Sequence, residues 1–433
     1  MLYKSLGSSN EFVNFEVALK KGLADDGSLF FPKKIKKLDH KFIQNLENYS
    51  DLDIAYKVIK PFIGSTISEI NLKKILNNTI DFDFPLIELE KNLFTLELFN
   101  GPTLAFKDVG ARFMANCLDH FSNINSRYNT VLVATSGDTG AAVGNGFLNS
   151  KFTKVVILYP KNKVSEFQEL QLTSFGNNIT ALRINGNFDK CQDIVKKAFI
   201  DKDLKKKFNL TSANSINVAR WLPQTIYYFF ALKKLKKLKK HNVAFSVPSG
   251  NFGNICAGII SMKLGLPISH FIASTNANDT VPRYMQSKIY KPLKTVETIS
   301  NAMDVSNPSN FIRILEVFEN FENLKKNFSS YSFNDIETLD AVKEIFDKEN
   351  YVLDPHGAIG YLGIKKYMSL NKCSTGVFLE TAHPIKFSEL IEKKLNTKLT
   401  QPIQGKNLSS KKKIFYELET YNDFKKFMLE KPI

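Results

Sequence analysis

Cysteine is scarce. Cys117, Cys191, Cys256 and Cys373 stand far apart in 433 residues, which argues against a disulfide framework and against a zinc cage built on paired thiols. Such sparing use fits a reducing, cytoplasmic compartment. Histidine is equally thin: His40, His120, His241, His270, His356 and His383 show no ligand spacing and no HExxH occurs, so a metal enzyme is not expected. No apolar run approaches the roughly 20 residues that span a bilayer, and the N-terminus has no apolar signal core, so no membrane role is expected. Internal repeats and low-complexity linkers are missing too. Acidic residues are the minority charge, 43 against 59 lysines and arginines for a net +16. That surplus raises the alternative of a basic nucleic-acid-binding protein, but the lysines are spread along the chain. The densest run, Lys233–Lys240, sets Leu232, Leu235 and Leu238 on one helical face with lysines outside it, the pattern of a solvated helix. No aromatic residues interleave with it and no recognition motif accompanies it, so no nucleic acid is expected. The positive field suits an anionic small substrate.

What is present is a long chain with 43% hydrophobic and 24% charged residues, enough for two or more packed, soluble subdomains. Residues 1–85 form a small N-terminal module, with a short helix closing on Gly22 and a turn at Asp25–Gly27. A boundary falls near Asp83–Pro85. Beyond it, short β-rich runs alternate with helical stretches: Thr130–Ala134, Lys154–Tyr159, Ala181–Ile184, Val243–Val247, Phe271–Ser274 and Gly376–Leu379. This alternation predicts two wound α/β subdomains with mainly parallel strands over residues 86–400. A helical, polar-faced insertion is expected near 285–350. Residues 401–433 read as a C-terminal tail and are the least legible part.

Four short segments carry chemistry. Asn100-Gly-Pro-Thr-Leu-Ala-Phe-Lys-Asp108 sets Lys107 where a loop hands over to an amphipathic helix, Val109–Leu118, a setting that suits an amine used as a nucleophile. Val247-Pro-Ser-Gly-Asn-Phe-Gly-Asn254 follows an apolar strand and precedes a small-residue helix, Ile255–Met262. There Gly250 and Gly253 permit close approach, Ser249, Asn251 and Asn254 offer donors, and the helix start adds positive charge for a phosphate. It is neither a Walker loop nor GxGxxG, and an ordinary βα turn reads the same way. Ala134-Thr-Ser-Gly-Asp-Thr-Gly-Ala-Ala142 also lies between strand and helix, with Thr135, Ser136 and Thr139 as donors for a carboxylate. Asp138 is out of place beside an anion site: either it caps the helix or it faces a phenol or protonated imine. Phe378-Leu-Glu-Thr-Ala-His-Pro384 ends a strand in Thr381, whose hydroxyl either meets a heteroaromatic nitrogen or closes a turn. Asn214–Arg220 and Asp354–Gly360 are more polar than a core needs, and Arg220 is either a phosphate clamp or a surface ion-pair residue.

Taken together and in this order, NGPTLAFKD, ATSGDTG, SINVARW, PSGNFGN and TAHP resemble the bacterial and fungal threonine synthases. The leader Phe15–Pro32 is similar to that family's N-terminal module, save that Ser28 stands where the family usually has glycine. The likeness runs from about residue 1 to 390. It implies fold type II, the tryptophan-synthase-β-like fold, with two wound α/β subdomains around a cofactor cleft. It implies pyridoxal 5'-phosphate as cofactor and conversion of O-phospho-L-homoserine and water to L-threonine and phosphate. A phospho-lyase of the same fold that releases 2-oxobutyrate is the near alternative.

The resemblance assigns roles to residues. Lys107 would carry the cofactor as a Schiff base and shuttle protons. Ser249, Gly250, Asn251, Phe252, Gly253 and Asn254 would hold the cofactor phosphate, Thr381 the ring nitrogen, and Asp138 the place beside the phenolic oxygen. Because Schiff-base exchange needs a neutral amine, Lys107 should lie well below the ordinary lysine value of roughly 10.4. A second anion pocket is required for the substrate phosphate, and Thr103, Asn217 and Arg220 are its candidates, beside Thr135, Ser136 and Thr139 for the remaining substrate groups. Monomer and homodimer both fit the sequence.

Overall fold

The computed structural model describes residues 1–122, 128–371, 374–408 and 410–431; Cys373 lies outside them. In the N-terminal module β1 (Tyr3–Ser5), β2 (Phe12–Val13) and β3 (Phe30–Pro32) form a small antiparallel sheet in the order β2-β1-β3. The helix Phe15–Lys21 starts where the Asn14 side chain accepts the Val17 amide and stops at Gly22, whose φ of 74° is the left-handed turn expected there. The buried Arg313 binds this module to the rest of the chain, donating to the carbonyls of Phe30 (2.9 Å) and Ile216 (2.6 Å).

β4 (Leu86–Glu90) and β5 (Leu93–Glu97) open the second part as an antiparallel pair. Next come β6 (Asn129–Ala134), β7 (Thr153–Pro160), β8 (Ile179–Ile184) and β9 (Asn209–Ser212), then β10 (Val243–Pro248), β11 (Ile268–Thr275), β12 (Phe328–Ser332) and β13 (Thr375–Glu380), and last β14 (Tyr416–Leu418). They make two sheets: an all-parallel one, β14-β8-β7-β6-β9, and β12-β11-β10-β13-β5-β4, parallel except for β4. All six strands expected from the alternating pattern are present, each lengthened by one or more residues. Their faces are nearly all buried, as parallel strands covered by helices on both sides require. One large core joins the N-terminal module to both sheets, and smaller clusters lie on the outer face of each.

Three segments differ from expectation. The stretch 285–350 is helical over Phe311–Phe318, Phe321–Asn327 and Asp335–Glu349, but it also supplies β12 to a sheet edge. In the tail, β14 pairs in register with β8, and Phe424 and Met428 of the helix Tyr421–Glu430 are fully buried. The lysine-rich helix ends at Lys237, so Leu232 and Leu235 are buried while Leu238 is 52% exposed. Lysines of this run are tied down: Lys233 pairs with Asp51 at 2.7 Å, Lys236 with Glu47 at 3.3 Å and, past the helix, Lys240 with Glu88 at 3.2 Å. No helix among the described residues is long and apolar enough to cross a membrane.

Candidate active site

Four loops leave the C-terminal ends of parallel strands and converge on one cavity of about 930 Å³ between the two sheets, where wound α/β folds place ligands. Lys107 is the first residue of the helix Lys107–Phe121, two residues earlier than the apolar pattern suggested. Its approach is held by the segment just after β13: Phe106 N–H donates to Thr381 O at 3.0 Å, His383 N–H to Leu104 O at 3.1 Å, and Ala105 bridges Ala382. Leu104 takes a left-handed φ of 59° within that clamp, a strain that the surrounding bonds sustain. Lys107 and Thr381, 274 residues apart by number (381 − 107), thus line the same cavity.

Asp138 begins the helix Asp138–Phe147 and does not cap it. Its carboxylate accepts Lys386 Nζ at 2.8 Å and Gln168 Nε2 at 3.1 Å, and its other oxygen lies 3.6 Å from Lys107 Nζ. Burial alone would raise this carboxyl, yet Lys386 and Lys107 hold it well below the usual range. Burial pulls Lys107 below the ordinary lysine value against the opposing field of Asp138, with Lys386 and Arg220 adding to the depression. Its surroundings therefore lower this amine, the direction that a nucleophilic role needs.

Facing these groups is the turn from β10 into the helix Gly253–Lys263. Phe252 precedes that helix at φ 59° with no side-chain cap, which leaves first-turn N–H groups available to an anion. Asn254 accepts the Tyr227 and Tyr228 hydroxyls at 2.6 and 2.8 Å, while its Nδ2 is buried without a partner among the described residues. Gly250 is required by packing: a Cβ there would lie 2.6 Å from Met303 Cα. Asn251 lines the cavity and braces the loop, donating to Ser215 Oγ at 2.6 Å and accepting from Ser309 N–H at 2.6 Å. Ser249 Oγ donates to Val247 O at 2.8 Å.

Of the remaining candidates, Thr135, Ser136, Thr139 and Arg220 line the cavity. Thr135 Oγ1 accepts the Gly137 and Gly140 amides at 2.9 Å each, so its hydroxyl shapes the helix start. Arg220 is buried and lowered by that burial to about 10, donates to Ala213 O, and keeps Nε unpartnered among the described residues. Thr103 and Asn217 are not part of the cavity wall. Thr103 Oγ1 donates to Asp108 at 2.5 Å, and the Asn217 carboxamide serves Leu19 O, Ser212 O and the Ala219 amide. Both are buried structural links, a use the sequence motif does not reveal.

Sequence reasoning passed over Lys386 and Gln168, and marked the polar segment Asp354–Gly360 without giving His356 a role. Lys386 stands two residues past the TAHP segment and is fully buried, and a lone lysine after a strand reads as surface. Gln168 carries a signal only as the fourth residue of a Ser165 capping box. His356 lines the cavity, with Nδ1 2.5 Å from Asp354 and a buried Nε2 that has no partner among the described residues. Next to it Glu380 is raised well above the carboxylate range by burial and then by Asp354.

The orphaned Asn254 Nδ2, the uncapped helix start and the depressed lysine fit an anionic cofactor with an aldehyde, and the orphaned Arg220 Nε fits a second anion. Comparison with known proteins agrees. Residues 83–380 match the family described as pyridoxal-phosphate dependent enzyme, and residues 2–80 match threonine synthase N terminus. The chain is 43% identical over 429 residues to threonine synthase of Buchnera aphidicola subsp. Baizongia pistaciae, with 99% of each covered. It superposes on the crystal structure of threonine synthase from Escherichia coli with a TM-score of 0.93 at 38% identity, covering 99% of both chains. On PLP-bound threonine synthase from Brucella melitensis the TM-score is 0.92 at 32% identity, covering 99% and 98%. Sustained from end to end, these likenesses show that the chain belongs to the threonine synthases, pyridoxal 5'-phosphate-dependent lyases of fold type II.

Proposed function

We propose that Lys107 is the lysine that bonds the cofactor, that the Ser249–Asn254 turn holds the cofactor phosphate, and that Thr381 and Asp138 meet the ring nitrogen and the phenolic oxygen. The observation that carries this reading is one cavity with a buried, depressed amine on one wall and an uncapped glycine-containing helix start on another. When bound, pyridoxal 5'-phosphate supplies an electron sink for the charge left on the substrate by proton loss.

As a free amine, Lys107 Nζ would move protons at the substrate Cα and Cβ. Arg220 takes the phosphate of O-phospho-L-homoserine and steadies it as the C–O bond at Cγ breaks. Ser136 and Thr139, at the start of the helix Asp138–Phe147, take the substrate carboxylate. A proton then enters at Cγ, water adds its hydroxyl at Cβ and gives its other proton to the departing phosphate, and a proton returns to Cα, giving L-threonine and phosphate. The enzyme works on a small anionic molecule, in the cytoplasm, as a monomer or homodimer.

Lys107→Ala tests the assignment. Borohydride reduction of the variant should fix no cofactor, and turnover of O-phospho-L-homoserine should fall by about 10³-fold or more, as loss of a proton-transferring nucleophile demands. Far-UV circular dichroism should be unchanged. Retained turnover refutes the role of Lys107, and ammonia with 2-oxobutyrate as main products of the wild-type enzyme refutes the water-adding reaction.

A further inference from the structure

A carboxylate 3.6 Å from a nucleophilic amine works against the chemistry. Asp138 favours the protonated, unreactive form of Lys107, and a neutral amide would avoid the conflict. The conflict has a visible remedy in Lys386, whose side chain is 0% exposed and whose Nζ sits 2.8 Å from the far oxygen of the same carboxylate. Gln168 Nε2 donates to that oxygen as well, at 3.1 Å. The short 3₁₀ turn Pro384–Phe387, started by His383 two residues after Thr381, delivers Lys386 to this point. A fully buried lysine is costly unless paired, and its partner here is the group that faces Lys107. Building on Lys107 as the cofactor lysine, we propose that Lys386 is a positioning residue: it fixes and offsets the charge of Asp138, so that Asp138 orients the Lys107 nitrogen without holding it protonated.

The charges bearing on Lys107 Nζ come from three elements: Asp138 raises its proton affinity, while Lys386 and Arg220 lower it. His356 acts on Asp138 from the helix Pro355–Leu370, His383 feels Lys386, and Asp108 on the lysine's own helix is engaged with Thr103. Lys386 is thus the cation that touches Asp138 from the side away from Lys107.

The test is a visible-absorbance pH titration of four holoenzymes: wild type, Lys386→Met, Asp138→Asn and the double variant. Lys386→Met should raise the midpoint by about one pH unit or more, the size of one close charge. Asp138→Asn should lower it, and the double variant should lie between the two. Removing Lys386 must therefore raise the midpoint in the otherwise wild-type enzyme, and by less in the Asp138→Asn enzyme, where the lysine has no carboxylate to offset. If Lys386→Met alone does not fold, Lys386→Gln, which keeps a donor for Asp138 but no charge, decides the matter by the same rise of the midpoint. A midpoint that does not rise, or absorbance flat with pH in all four proteins, overturns the proposal; a merely structural Lys386 would change the unfolding temperature alone. Borohydride reduction and peptide mapping separate the two levels: label on Lys107 with an unmoved midpoint sinks the role of Lys386 only, whereas label on another lysine sinks the reading of Lys107 as well.

Discussion

At Asp138 the sequence posed two alternatives, a helix cap or a partner for a cationic or phenolic group, and residue types alone did not separate them. The deciding groups, Lys386 and Gln168, are 248 and 30 positions away. A similar distance effect governs His270, 7% exposed, stacked on Tyr367 and bonded to Ser329 at 2.8 Å. Burial lowers its imidazole to about 4. The unfolded chain therefore binds a proton near the ordinary histidine value while the folded chain stays neutral. The stability this contributes is complete above about pH 6.5 and is lost as pH falls toward 4. His270→Gln should remove that dependence. Its stability deficit against wild type, read from urea midpoints, should shrink by up to about 3 kcal/mol between pH 7 and pH 4. An unchanged deficit would contradict the buried neutral imidazole.

Elements were legible where the chain is locally consistent. Apolar β-rich runs bounded by Gly, Pro, Asn and Ser gave the parallel strands, because a strand covered on both faces must be apolar throughout. The glycine-bearing turns after β6 and β10 were legible for the same local reason. Helix starts were displaced by two residues at Lys107 and at Gly253, because polar first-turn residues add nothing to an apolar period. Short edge strands such as β12 and β14 left no such mark. At the turn after β10 the demand on Gly250 is steric: an added Cβ meets the Met303 backbone, which has no flexible side-chain end to swing aside. Gly250→Ala should push apart the turn and the segment 301–309. Cofactor affinity, measured by fluorescence quenching on titration with pyridoxal 5'-phosphate, should fall about tenfold or more, about 1.4 kcal/mol. An unchanged affinity would show that the two backbones separate without cost.

For the molecule as a whole, the C-terminal segment is a structural part of the five-stranded sheet. Ending the chain at Phe415 would strip β14 from β8 and withdraw Phe424 and Met428, both fully buried against Cys191, Ile194 and Leu204. Two buried side chains of this size are worth about 3–6 kcal/mol, and the uncovered strand edge invites self-association. The truncated protein should melt several degrees lower and aggregate, as thermal melts and light scattering would report. An unaltered melting curve would mean that the segment only rests on the sheet. The sequence by itself determined the wound α/β class, the parallel strands, the N-terminal module and the motif loops around Lys107, Asp138 and Gly250, since these follow from local periodicity and turn chemistry. Only the tertiary structure decided which motif residues share the cavity. It engaged Thr103 and Asn217 in buried links elsewhere, brought in Lys386 and His356, and set the charge balance at Lys107. Burial and the field of distant charges depend on neighbours in space, and no local pattern carries them.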